Sequence, residues 1–287
     1  MVKFSIIIPV YNEGESAKHT LEELRVFLDK NTGEHEIIAV DDGSDQHTKN
    51  MLKEVSGIKL ITHDRNRGYG AALKTGVKNS SYDWVMFFDS DGQHKTEYIP
   101  GLLKHTDNYD MVVGARSTYK GPFLRQPGKR FLKLLAEYLV NAKIPDLNSG
   151  FRLIKKSGFF RFMHLFPNSF SLTTTITLAF FREGLDVKYI PITINKRGSS
   201  TKSTVKTKHG LQTILLIMRM IMLFNPLKIF LPTSLLLLLL GIIFSIYGII
   251  AFGNFPISGL LILLTSFIVF FNGLLADQTS TIIRNEK

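Results

Sequence analysis

Asp89 and Asp91 stand one residue apart, immediately after the apolar run Trp84–Phe88. Two carboxylates so spaced at the end of a buried strand can both reach one hard divalent cation, and Gln93 adds a neutral carbonyl oxygen nearby. That donor set suits Mg²⁺ or Mn²⁺, ions that keep water and accept phosphate oxygens as their remaining ligands. Taken alone, Asp-x-Asp marks a turn or a helix start more often than a metal site. A second acidic pair, Asp41-Asp42, closes another apolar run and strengthens the reading. A carboxylate at a strand end can accept hydrogen bonds from ribose hydroxyls or a base edge. Asp42-Gly43-Ser44-Asp45 also reads as a capping loop that opens the next helix, and both roles can hold at once.

Other motifs carry less. Gly68-Tyr69-Gly70-Ala71-Ala72-Leu73 resembles the start of a dinucleotide fingerprint, but it lacks the third Gly in register and follows the third strand instead of the first. Its glycines still allow close backbone approach at a helix N-terminus, which suits a phosphate or a sugar. Gly198–Ser203 echoes a phosphate-binding loop, yet Thr201 stands where Gly is required. The sequence has no Cys, so thiolate metal sites and disulfide scaffolds are excluded. Of the eight His, only His94, beside the acidic loop, merits attention. Arg116, Lys120, Arg125, Lys129, Arg130 and Lys133 form a basic cluster with no acid between Arg116 and Ala136. The lysines read equally well as a solvated face, whereas Arg116 closes a strand and can grip phosphate oxygens with its fork. Nucleic acid fits this basic face poorly, because no nucleic-acid motif accompanies it.

The elements that must position these residues alternate. Phe4–Val10, Glu36–Val40, Lys59–Thr62, Trp84–Phe88 and Met111–Val113 have strand character. Glu15–Lys30, Gln46–Val55, Tyr69–Asn79 and Thr96–Thr106 between them have helical composition. Such alternation predicts an α/β domain with a mostly parallel sheet, whose ligands bind beyond the carboxyl ends of the strands. Phe4–Val10 ends in a turn, with no small-residue cleavage site, and so reads as a strand rather than a signal peptide.

The C-terminal fifth is different material. No charged residue occurs between Lys228 and Asp277, and all of the net charge of +11 lies before Ile229. Ile229–Phe252 and Ile257–Ala276 are apolar runs of 24 and 20 residues, joined by Gly253-Asn254-Phe255-Pro256. Crossing a hydrocarbon core takes about 20 helical residues, so this is a transmembrane hairpin. Residues 191–228 carry seven basic groups and no acid, which puts the head and the C-terminus in the cytoplasm. Gly210–Phe224, apolar but interrupted by Gln212 and Arg219, suits a helix in the headgroup layer; a core helix is the competing reading. The sequence leaves open whether copies of the chain form a homo-oligomer.

Five motifs in order resemble family 2 glycosyltransferases of the GT-A fold: Ile7–Glu13, Asp41–Ser44, Asn66–Ala72, Asp89–His94 and Gly114–Arg116. Asp146–Arg152, Phe170–Thr177 and the hairpin are similar to the branch containing dolichol-phosphate mannose synthase and bactoprenol glucosyltransferase. The resemblance covers nearly the whole chain. It implies a catalytic domain over 1–195, a basic loop and interfacial amphipathic helix over 196–228, and the hairpin with a short tail over 229–287. It further implies that Pro9, Tyr11, Glu13 and Asp41 hold a nucleoside, with Asp42, Gly68 and Lys202 as further donor-side candidates. Asp89, Asp91 and Gln93 hold Mg²⁺ or Mn²⁺ on the donor diphosphate, Arg116 and Arg130 grip an acceptor phosphate, and Arg197 closes over the donor. One departure stands out: the mannose synthases commonly place a Ser four positions after the second acceptor Arg, where this chain has Leu134, so Lys133 either substitutes or the register shifts. Asp146 is left between contacting sugar hydroxyls and orienting the acceptor. The expected reaction is inverting transfer of a hexose from a nucleotide-diphosphate sugar, GDP-mannose or UDP-glucose in type, to a polyisoprenyl phosphate. A membrane lipid such as diacylglycerol as acceptor, and a silent nucleotide-sugar-binding adaptor, are the alternatives.

Overall fold

The computed structural model describes residues 2–116, 126–195, 218–219 and 221–285. Arg197, Lys202, Lys120, Arg125 and most of the 196–228 segment lie outside the described residues; of the helix expected over 210–224, residues 218–219 and 221–224 are described and are helical. The chain divides into two compact units, Met1–Leu134 with Ala142–Lys206, and Leu135–Asn141 with Thr207–Lys287.

The first unit is built on a seven-stranded sheet in the order β3-β2-β1-β4-β6-β5-β7. The strands are β1 (Phe4–Val10), β2 (His35–Asp41), β3 (Lys59–Thr62), β4 (Trp84–Phe87), β5 (Met111–Arg116), β6 (Arg152–Lys155) and β7 (Val187–Ile192). Every residue of β1 is buried. That follows from its central place, since an interior parallel strand is covered on both faces and needs an unbroken apolar run. Helix α1 (Gly14–Asn31) buries Ala17, Leu21, Leu24 and Leu28, the spacing of a single helical face, against the sheet. Helices α2 (Gln46–Lys53), α3 (Tyr69–Lys78) and α4 (Ile99–Leu103) follow β2, β3 and β4. The chain then adds α5 (Gln126–Val140), α6 (Lys156–Phe162) and α7 (Leu172–Arg182).

Strand order reverses at β1: the chain runs outward through β2 and β3, then returns to place β4 on β1's other side. The crevice beyond the carboxyl ends of β1 and β4 is therefore the switch point where open α/β sheets take ligands. β6 runs antiparallel to both β4 and β5, with Phe87 opposite Arg152. The loop entering β6, residues 146–151, is thereby delivered to the ends of β4 and β5.

Two strands lie beyond the expected five. β6 is short, and its first residue is an arginine with no exposure at all. β7 contains Pro191, which a sheet tolerates at an edge, and β7 is the edge strand. β5 also continues three residues further than Val113, so Arg116 is itself a strand residue.

In the second unit, α8 (Leu227–Phe252) and α9 (Ile257–Asn285) pack as a hairpin, each long and apolar enough to cross a membrane. Gly253, at φ 70°, takes the left-handed conformation that ends α8. Small residues set the approach: a side chain at Gly241 would meet Leu263, and one at Gly259 would meet Ser245. The α9 helix runs on past Ala276 through Asp277, because only the apolar stretch, not the helix, ends at the first charge. Lys228 Nζ donates to the Tyr138 carbonyl (2.6 Å), one of the last carbonyls of α5, and lies over the Tyr138 ring.

Candidate active site

Four loops meet at the switch point. After β1, Asn12 adopts φ 52°; its backbone N–H donates to Ser44 Oγ (3.0 Å), and its Oδ1 accepts from Asp45 N–H (2.8 Å). The β1 and β2 loops are thus laced together. Pro9 is buried in β1, and Tyr11 is about half exposed over the crevice rim. Ser90 Oγ lies 2.8 Å from the Pro9 carbonyl and within hydrogen-bond reach of the Glu13 carboxylate. Pro9 and Glu13 consequently fix the residue between the two aspartates.

Asp41 has no exposed surface. Its Oδ1 accepts from Ser44 N–H (2.9 Å), while its Oδ2 has no partner among the described residues. A buried carboxylate oxygen without a donor costs about 1–3 kcal/mol or more, so its place at a strand end marks it for a ligand donor. Asp42 is committed otherwise. Its Oδ1 receives Arg67 N–H (2.9 Å) and meets His63 Nδ1 (2.7 Å), and its Oδ2 receives Gly68 N–H (2.8 Å). It shapes the turn into α3, where Gly68 stands at φ 100° with no room for a side chain beside the Asn168 carbonyl.

Asp89 is clasped from both sides: Tyr69 donates its hydroxyl to Oδ1 (2.9 Å), and His94 Nε2 meets Oδ2 (3.1 Å). Burial alone would raise the Asp89 carboxyl, but the His94 hydrogen bond and charge, the Tyr69 hydroxyl and the Arg116 charge outweigh it and hold it below the usual value. Burial and the neighbouring Asp89 push the Tyr69 phenol well up, so it stays a proton donor. Asp91 is half-buried, and its Oδ1 accepts from Gln93 N–H (3.1 Å). The Gln93 carbonyl accepts from Asn195 N–H (2.9 Å).

The loop entering β6 supplies what the sequence reading left unplaced. A methyl group on Gly150 would sit 2.5 Å from Asp89 Oδ2. Gly150→Ala is therefore expected to displace Asp89 and lower activity about 10²-fold with the fold retained, measured by turnover alongside circular dichroism. Asp146 takes Arg116 in a fork, Nε to Oδ2 at 2.6 Å and Nη2 to Oδ1 at 2.9 Å. Burial works against the Asp146 charge, but Arg116 prevails and lowers the carboxyl from its usual value. A depressed carboxyl contributes stability above its unfolded value of about 3.9 and loses it as pH falls through the lower folded value. Melting of the detergent-solubilised chain should show that acid loss, and Asp146→Asn should lack this component. Arg152 is fully buried and donates to the Ser149 carbonyl (3.0 Å), the Thr173 carbonyl (3.0 Å) and Thr177 Oγ1 (3.1 Å), pinning this loop to α7. Arg130 is exposed on α5.

No group of three or more His, Cys, Asp or Glu side chains converges as a metal cage among the described residues. The donor set of Asp89, Asp91 and Gln93 nonetheless fits a Mg²⁺ or Mn²⁺ ion that draws its other ligands from substrate and water. Each Asp89 oxygen keeps a lone pair beyond the hydrogen bond it accepts.

Comparison with known proteins bears on the family and the fold. The chain matches glycosyl transferase family 2 over residues 5–164 and the GtrB C-terminal hairpin over residues 225–282. It is 32% identical over 160 residues to the undecaprenyl-phosphate 4-deoxy-4-formamido-L-arabinose transferase of Serratia proteamaculans, over 54% of this chain and 49% of that one. The match thus spans about half of that relative's length. An uncharacterised protein of Methanocaldococcus jannaschii is 27% identical over 69% of this chain and 84% of its own. Glucosyl-3-phosphoglycerate synthase of Mycobacterium tuberculosis, solved with Mn²⁺ and uridine diphosphate, superposes with a TM-score of 0.60 at 16% identity, covering 77% of this chain and 79% of its own, a likeness of fold. With a GT-A-like sheet, a family match over more than half its length and a GtrB-type hairpin, the chain belongs to glycosyl transferase family 2.

Proposed function

We propose that this glycosyltransferase moves a hexose from a nucleotide-diphosphate sugar, of the UDP-glucose or GDP-mannose type, to a polyisoprenyl phosphate at the cytoplasmic membrane face. The observation that carries the reading is the crevice between β1 and β4. One wall holds a buried Asp41 oxygen without a partner among the described residues, the other holds the paired carboxylates of Asp89 and Asp91, and Arg116 stands forked on Asp146.

In this reading Pro9, Tyr11 and Glu13 frame the nucleoside, and Asp41 Oδ2 accepts a donor N–H or hydroxyl from it. Asp89, Asp91 and Gln93 hold Mg²⁺ or Mn²⁺, which supplies positive charge to the diphosphate. Arg116, forked onto Asp146 through two of its N–H groups, grips the acceptor phosphate. Asp146 fixes the guanidinium plane. A carboxylate whose proton affinity is depressed is a poor general base, and none is needed, because a phosphate monoester is already an anion near pH 7. A single displacement at the anomeric carbon inverts configuration, so an α-linked donor yields a β-linked lipid. Arg130 and Arg197 are proposed to assist at the acceptor and the donor, and Lys202 at the donor. The basic flank of the hairpin sets its orientation. The name of the Serratia relative supports an undecaprenyl-phosphate acceptor.

A thermal-shift panel of UDP and GDP sugars tests the donor side. One nucleotide should stabilise the protein only with Mn²⁺ present, by about 2.7 kcal/mol at a hundredfold excess over its dissociation constant. Asp41→Asn should weaken binding about 10- to 100-fold and so cut that stabilisation to about 1.4 to 0.4 kcal/mol at the same concentration. No response to any nucleotide sugar would contradict the donor assignment.

A further inference from the structure

Helix α7 opens on Leu172-Thr173-Thr174-Thr175-Ile176-Thr177, and its four threonines are buried. Three of them return their hydroxyls to carbonyls one turn back: Thr173 to Phe170 (3.2 Å), Thr175 to Ser171 (3.0 Å) and Thr177 to Thr173 (2.9 Å). That is the ordinary course for a threonine inside a helix. Thr174 does otherwise. Its hydroxyl leaves the helix and donates to Asn148 Oδ1 (2.6 Å).

This bond fixes which way the Asn148 amide faces. With the oxygen accepting from Thr174, Nδ2 is left with two N–H groups that have no partner among the described residues. Asn148 is exposed, whereas Leu147 and Ser149 on either side of it are buried, and Ser149 Oγ anchors the loop by donating to the Gly114 carbonyl (2.6 Å). The residue also stands between two groups that the transfer needs. Two positions before it, Asp146 forks Arg116, and the Asn148 backbone N–H donates to the same Asp146 oxygen (3.1 Å) that Arg116 Nη2 meets. Two positions after it, Gly150 packs against Asp89 Oδ2. A sugar moving from a diphosphate held at Asp89 to a phosphate held at Arg116 therefore passes Asn148. Phosphate is best met by a charged fork, which Arg116 supplies, whereas a neutral amide with preset N–H groups suits a ring hydroxyl.

We propose, on the donor reading above, that Asn148, oriented by Thr174, donates to a ring hydroxyl of the transferred hexose and so helps select which hexose is accepted. The test uses the full-length chain in vesicles containing polyprenyl phosphate. Its probes are the nucleotide hexose that the parent accepts and analogues each lacking one ring hydroxyl. Asn148→Ala should lower kcat/KM for the complete hexose about three- to tenfold. The analogue without the contacted hydroxyl should lose nothing further in that variant, while every other analogue keeps its parental penalty. Thr174→Val, which keeps the side-chain shape and removes the hydroxyl, should weaken the same discrimination. Inhibition by the free nucleotide diphosphate should stay near that of the parent in both variants. Parental penalties at every hydroxyl in Asn148→Ala, or a loss shared equally by all analogues, would overturn the proposal and leave Asn148 shaping the loop alone. A parent that transfers no hexose at all would instead sink the donor reading, and this assignment with it.

Discussion

Asp91→Ala is expected to lower transfer about 10²–10³-fold or more while the protein stays in the membrane fraction. Asp91 and Asp89 sit on the loop that closes β4, a strand buried along its whole length, so the loop is held by the sheet rather than by its own contacts. Ser90 ties it to the Pro9 carbonyl and to Glu13, and its own carbonyl accepts from Thr20 Oγ1 (3.2 Å). Removing the Asp91 carboxylate therefore takes away charge, and with it the Gln93 N–H contact, while the Ser90 anchors stay in place. Asp89→Ala would also free Tyr69 and His94, which makes Asp91 the cleaner test. The loss should appear in kcat/KM for the donor and in Mn²⁺ dependence of nucleotide binding. Parent-like turnover in Asp91→Ala would remove the metal assignment.

The second large effect is expected at Arg116. Arg116→Ala should raise KM for the polyprenyl phosphate and lower kcat/KM about 10²–10³-fold, leaving donor binding near that of the parent. The substitution also strands Asp146, whose side chain is 11% exposed against 24% for Arg116, so the variant loses stability, by less than the about 3–5 kcal/mol of a fully buried pair. Pairing the change with Asp146→Asn separates the two consequences. Stability should recover in the double variant and activity should not. Arg116→Lys should rescue poorly, because an ammonium cannot fork onto the Asp146 carboxylate.

Much of this fold was legible because interior parallel strands must be apolar without interruption. Phe4–Val10 and Trp84–Phe87 announce themselves in this way, and the loops that follow them had to share an edge. The hairpin was equally plain, since two charge-free apolar runs joined by a turn are each long enough to cross a bilayer as helices. β6 hid because its first residue is an arginine whose burial depends on the Ser149 carbonyl of its own loop and on Thr173 and Thr177 of α7. β7 hid behind Pro191, a residue whose meaning depends on whether a strand is central or at an edge. The site was read in part. Residue type and position picked out Asp41, Asp89 and Asp91, but the partner of Arg116 lies thirty residues away, and no local pattern joins it to Asp146. Asp42 looks from sequence like a twin of Asp41, and only the fold shows its oxygens occupied by the turn into α3. Tyr69 and Gly150, which clasp and crowd Asp89, carried no signal beyond their places in longer motifs.

The most direct test supplies purified protein with a labelled nucleotide sugar, Mn²⁺ and vesicles containing polyprenyl phosphate. The account predicts label in a lipid product that survives mild base, with an inverted anomeric centre by NMR, and no product once the metal is chelated. Label in a base-labile lipid, retained configuration, or transfer undiminished by chelation would contradict it.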